Sequence, residues 1–138
     1  MLSYAIAYSQ TDSLKQEQHL ENNNRMDLSF CTFINSSNQD CVFNNTKFIT
    51  PKDSTHAKLF MMIRSYDTLG VEKLIYKIYA IDRFGTEVFL NMIGQEIKSS
   101  WRSVWQPYDF TSPGKYMVKV YKDDEHMLIS KGFEFFNN

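Results

Sequence analysis

The stretch Phe110-Thr111-Ser112-Pro113-Gly114-Lys115-Tyr116-Met117-Val118-Lys119-Val120-Tyr121 decides the fold class. Pro113 fixes its own φ near −65° and Gly114 tolerates positive φ, so the pair predicts a tight turn, most simply type II. Strict alternation follows. Tyr116, Val118 and Val120 share one face; Met117, Lys119 and Tyr121 share the other. Period two predicts a strand with one buried face, Lys119 lying on the solvent side. Downstream, Phe133-Glu134-Phe135 repeats the pattern, and the charged segment Lys122 to His126 reads as the hairpin loop between the two strands.

Working upstream, short strand patterns recur between turn signals. Leu28 to Ile34 is the first, and the folded domain is expected to span residues 27–138. Val42-Phe43 and Lys47-Phe48-Ile49 flank the turn-forming Asn44-Asn45. In Ala57 to Ser65, Leu59, Met61 and Ile63 share a face, and Leu74, Tyr76 and Ile78 are expected to line the same core. Leu74 to Ile81 is apolar on both faces except at Lys77, which places it inside a sheet. Asp82-Arg83-Phe84-Gly85 is a turn, and Thr86 to Met92 returns. Ile97, Trp101, Val104 and Trp105 recur at helical spacing, so a short helix or a long crossover is expected near residues 95–106, stopped by Pro107.

Regular short strands without alternating helices imply a sandwich or barrel. The segment Tyr108 to Tyr121 resembles the penultimate strand of immunoglobulin-like sandwich modules, in which a Gly-containing turn leads into Tyr-x-Val-x-Val. Polycystic-kidney-disease-type and fibronectin-type modules are similar over residues 108–136. The resemblance implies an all-β, antiparallel immunoglobulin-like β-sandwich of about seven strands, with Tyr116 at the corner between sheets. It implies a binding or spacer module rather than an enzyme. The Cys…Trp…Cys pattern of antibody domains is absent.

The chain has 138 residues, enough for one domain with a core that needs no staples. A formal net charge of −1 gives no field to draw nucleic acid, and no apolar stretch approaches a membrane span. Residues 1–9 end in Ala7-Tyr8-Ser9, which fits the cleavage end of a signal peptide, although the basic start is missing; a plain N-terminal strand fits too. The export reading places the protein in the periplasm or outside the cell. Residues 10–26 are polar and read as a flexible linker. Cys31 and Cys41 flank a polar turn. In an oxidising compartment they form the one available pair; otherwise they are two buried thiols. Their spacing is wrong for zinc.

Catalytic signals are weak. No G-x-S-x-G occurs, and His19, His56 and His126 neighbour no nucleophile. Asp123-Asp124-Glu125 lacks the spacing of a calcium loop, and no glycine-rich phosphate cradle is present, so no cofactor is expected. Asp82, Glu87, Glu96 and Asp109 are candidate carboxylates for a hydrolase reading, but nothing singles them out. Asn35-Ser36-Ser37 and Asn44-Asn45-Thr46 match the N-glycosylation pattern, which arises by chance in so Asn-rich a chain. Trp101, Trp105 and Tyr108 carry the one surface hypothesis: a site for a protein or carbohydrate ligand. The alternative is that the tryptophans plug the end of the core. An interaction module, a carbohydrate-binding module and a hydrolase accessory domain are the three functional readings. A planar row of exposed aromatics would favour carbohydrate.

Overall fold

A computed structural model describes residues 26–42, 44–50 and 55–137. The leader and linker readings of residues 1–25 lie outside this range. Ten strands run in chain order: β1 Met26–Cys31, β2 Phe33–Ile34, β3 Cys41–Val42, β4 Lys47–Thr50, β5 Ala57–Ser65, β6 Lys73–Ile81, β7 Glu87–Glu96, β8 Ser103–Phe110, β9 Gly114–Tyr121 and β10 Met127–Asn137. They form a three-stranded sheet, β1-β5-β8, a five-stranded sheet, β4-β10-β9-β6-β7, and a small ribbon, β2-β3. All pairings are antiparallel except that of β4 with β10.

The two larger sheets are layered because their alternating apolar residues face each other. Leu59, Met61 and Ile63 of β5 meet Leu74, Tyr76 and Ile78 of β6 in one buried cluster. Tyr116, Val118 and Val120 join it from β9, as their alternation predicts. An aromatic knot closes one end. Phe110 lies 4.7 Å from Phe133 and 4.9 Å from Tyr116, both edge-on, while Phe30 sits 4.6 Å from Phe133. Edge-to-face geometry suits the ring quadrupoles. The Tyr116 hydroxyl donates back to the Ser112 carbonyl, tying the β8–β9 corner.

Three local expectations change. Pro113-Gly114 is a bend rather than a type II turn. Gly114 opens β9 at φ 153°, far from the roughly +80° of a type II corner. Of the short helix or long crossover expected near residues 95–106, the crossover forms, and no helix is present among the described residues. β7 runs on to Glu96 and β8 begins at Ser103, so the crossover is residues 97–102. The helical spacing of Val104 and Trp105 masked a period-two set: Val104 and Phe110 point inward, and Pro107 takes an exposed position on an edge strand, where its missing N–H removes no ladder bond. Lys119 is not freely solvated. Its side chain is 25% exposed, with Nζ 2.7 Å from Glu87 Oε1 and 4.8 Å from the Tyr79 ring centre. Burial alone would lower its pKa, but the hydrogen bond and charge of Glu87 outweigh that, so it is raised.

Candidate binding groove at the β7–β8 flank

The outward face of the small sheet is read from its register. Ser29, Met62 and Trp105 stand side by side across β1, β5 and β8, as do Cys31, Phe60 and Pro107, and Asp27, Arg64 and Ser103. Outward residues of a sandwich are ordinarily wet. Here Cys31, Met62 and Ser29 are buried. The β2-β3 ribbon is fastened to this side. A disulfide joins Cys31 to Cys41, with 5.4 Å between their Cα atoms. At the ribbon tip, Arg64 donates to the Gln39 carbonyl at 2.9 Å and to Asp40 Oδ1 at 3.1 Å. The tip itself is built from Asn35 and Asp40, with Asn35 N–H donating to the Asp40 carbonyl, and Gln39 takes a left-handed φ of 59°.

The ribbon tip and the crossover make the walls of a groove of about 630 Å³. Gln39 contributes from the tip; Ser100, Trp101 and Arg102 from the crossover; Ser103, Val104 and Trp105 from β8; Gln95 from β7. Trp101 is 42% exposed and Trp105 half-buried. The crossover that presents Trp101 is held by backbone bonds: Leu69 N–H donates to the Trp101 carbonyl at 2.7 Å and Gly70 N–H to the Ser99 carbonyl at 2.9 Å. The left-handed φ of 71° at Gly70 permits that close loop.

Tyr108 goes elsewhere. Its ring packs edge-on to Phe110 at 4.7 Å and against the core, and its hydroxyl accepts from Asn91 Nδ2 at 3.4 Å. The structure therefore brings Trp101 and Trp105 together in one groove and leaves Tyr108 out of it. No planar aromatic row forms. Gln95 belongs to the site as well, though no motif marks it. Its Oε1 accepts from the Tyr76 hydroxyl at 2.6 Å, and its Nε2 donates to the Trp105 carbonyl at 2.9 Å. Burial pushes the Tyr76 hydroxyl pKa well up. Gln95 thus links the buried face of the large sheet to the edge of the small one, directly beneath the groove. A lone glutamine in an alternating strand carries no sequence signal for such a role.

The other candidates are dispersed. Asp82 caps its own turn through the N–H groups of Phe84 and Thr86, Glu87 pairs with Lys119, and Asp109 lies 3.3 Å from His56 Nδ1. Asp123 caps the β9–β10 loop; hydrogen bonds from the Glu125 backbone and the His126 ring hold its carboxyl below the usual range. Among the described residues, no group of three or more His, Cys, Asp and Glu converges as a metal site would require. No described helix is long and apolar enough to cross a membrane.

No family model and no curated protein sequence matches the chain. Solved structures do. An immunoglobulin-like protein of Pseudomonas aeruginosa aligns over 81% of this chain and 95% of its own, with a TM-score of 0.52 and 18% identity. The fold is immunoglobulin-like. The PmoD soluble domain of a Methylocystis species aligns over 80% of this chain and 90% of its own, with a TM-score of 0.50 and 12% identity. At these identities the likeness concerns architecture. It agrees with the Tyr116 corner, which the same class of sandwich uses to tie a strand back to the chain upstream.

Proposed function

We propose that this immunoglobulin-like domain is a non-enzymatic, exported module that binds a segment of a protein partner in the groove of Trp101, Arg102 and Trp105. The convergence of Trp101, Arg102 and Trp105 on one concavity carries the reading. Trp and Arg dominate protein-binding energetics where they sit in pockets, and a volume of about 630 Å³ suits a few side chains of a docked segment. Export is favoured by the Cys31–Cys41 bridge, since such bridges persist in oxidising compartments. Kinship with polycystic-kidney-disease-type or fibronectin-type modules belongs to the same proposal and rests on the residues around Tyr116. A sugar-binding reading is weaker because Tyr108 is turned into the core.

Panning a displayed random-peptide library against the oxidised protein tests this. Selected peptides should lose about thirty-fold in affinity on Trp101→Ala, the ~2 kcal/mol of a hot-spot residue. Peptides that bind Trp101→Ala and Trp105→Ala as well as the parent would overturn the site. A glycan array with signals that vanish on Trp101→Ala would move the groove to carbohydrate.

A further inference from the structure

A sandwich of two open sheets has four edges, and three of these are protected. β4 is only four residues long. β1 has its Phe30 carbonyl occupied by the Asn45 N–H at 3.2 Å. β8 carries Pro107, which has no N–H, and its Trp105 carbonyl is taken by Gln95. β7 differs. It is ten residues long and, among the described residues, has β6 as its one strand neighbour. Its sequence Glu-Val-Phe-Leu-Asn-Met-Ile-Gly-Gln-Glu holds no Lys, Arg or Pro, and its two charges sit at the ends. Val88, Phe89, Leu90 and Met92 are each 47–56% exposed. A long apolar edge without such guards is a template for another strand. Among the described residues it is guarded by a one-residue register slip at Leu90 and by the Asn91 side chain, whose Oδ1 accepts from the Met92 N–H at 2.8 Å and must swing aside for a strand to pair there.

We propose that this edge pairs antiparallel with the β7 edge of a second copy of the chain, joining two five-stranded layers into one ten-stranded sheet. The edge is self-complementary in one register. Phe89 and Met92 lie on the outer face, beside Tyr79 and Lys77 respectively. Val88 and Ile93 lie on the inner face, opposite Ala80 and Tyr76. A two-fold axis between Leu90 and Asn91 sets Phe89 against Met92 of the second copy and Val88 against its Ile93, apolar on apolar on both faces. Glu87 then faces Gly94 of the second copy, with its charge already matched by Lys119 at 2.7 Å. Sliding the pairing by two residues one way would set Glu87 against Glu96, like charge on like charge, and sliding it the other way would set Val88 against Asn91 and Glu87 against Met92, losing the apolar matches.

The full chain should sediment at twice its 16.3 kDa mass as concentration rises from low micromolar towards millimolar. Met92→Lys and Phe89→Lys should each restore the monomer with only a small fall in melting temperature, since both side chains are exposed in the single chain and give up no more than a cross-strand contact, with Lys77 and Tyr79 respectively. A Phe89→Cys/Met92→Cys variant should oxidise to a covalent dimer, whereas Phe89→Cys/Glu96→Cys should not. A monomer at every concentration would overturn the proposal, including one whose β7 amides are slow to exchange because another part of the chain covers them. So would a dimer that Met92→Lys leaves intact, or growth into open-ended oligomers. The groove at Trp101 is untouched by these variants, so peptide binding there stands or falls separately.

Discussion

Tyr76→Phe removes one oxygen from the centre of the domain. The ring is fully buried, and its hydroxyl donates to Gln95 Oε1 at 2.6 Å. Phenylalanine fills the same space, so no cavity opens. What changes is that Gln95 Oε1 loses its donor while Nε2 still donates to the Trp105 carbonyl. Stranding this half-buried acceptor beneath the groove costs about 1–3 kcal/mol, nearer the lower figure where groove water reaches it. For a domain of this size that is a fall of roughly 4–12 °C in Tm. Gln95→Leu should cost a similar amount, because it strands the Tyr76 hydroxyl and frees the Trp105 carbonyl. The double variant removes both partners, so it should be about 1–2 kcal/mol better than the sum of the singles. Alkaline titration adds an independent check. The folded Tyr76 resists ionisation, whereas the unfolded one ionises near pH 10. The stability it confers is therefore complete below pH 10 and declines above it, by about 1.4 kcal/mol per pH unit. Tyr76→Phe should flatten that part of the alkaline limb. Urea melts of the four proteins at neutral pH and at about pH 11 measure both effects. Strict additivity of the two substitutions, with an unchanged alkaline limb, would refute the link from Tyr76 through Gln95 to β8.

Leu74→Ala or Ile78→Ala should destabilise by ~2–5 kcal/mol in denaturant melts, because both side chains are fully buried between the sheets. Reducing the Cys31–Cys41 bridge, whose ends are 10 residues apart, should cost ~2–3 kcal/mol by loop-closure entropy. It should also red-shift tryptophan emission, since the ribbon that it fastens walls the groove beside Trp105. Asp123 should titrate below the usual carboxylate range by NMR. Its loop contribution is present above the unfolded carboxylate pKa and is lost as pH falls through the lowered folded value, so Asp123→Asn should match the parent only in strong acid.

The core was legible because it obeys one rule. Alternation in residues 57–65, 74–81 and 115–121 reports the face that each side chain takes, and the buried set follows from it without knowledge of the partners. The region around Trp101 was less legible for a physical reason. Val104 and Trp105 are neighbours on opposite faces of an edge strand, one sealed by the core and the other half-covered by the ribbon, so both read as apolar and the period is lost. Tyr108 looked like a partner of the tryptophans because it is close in sequence. It sits three residues from Trp105, an odd number, which in a strand sends it to the other face. The ribbon could be read only as two cysteines around a turn. That it folds over the outer face of β5 depends on Arg64 reaching Gln39 and Asp40, a contact 24 to 25 residues away in sequence.

Both proposed surfaces trace to one mismatch in the architecture. The large sheet has five strands and the small one three. Along the inner face, Ile78 of β6 is fully covered, yet its cross-strand neighbour Asn91 on β7 is exposed, and Val88 is 48% exposed beside a half-buried Ala80. Cover by the small sheet therefore ends between β6 and β7. Two side-chain bonds bridge the uncovered flank, Asn91 to the Tyr108 hydroxyl and Gln95 to the Trp105 carbonyl. A fourth strand beside β8 would displace both and bury Val88. None lies there among the described residues, which leaves the β7 edge bare of them and leaves the crossover to present Trp101 and Arg102 at the top of the gap. The same shortfall explains why a polar residue as ordinary as Gln95 is held at 2.6 and 2.9 Å on its two sides: it does for the flank what backbone pairing does elsewhere in the sandwich.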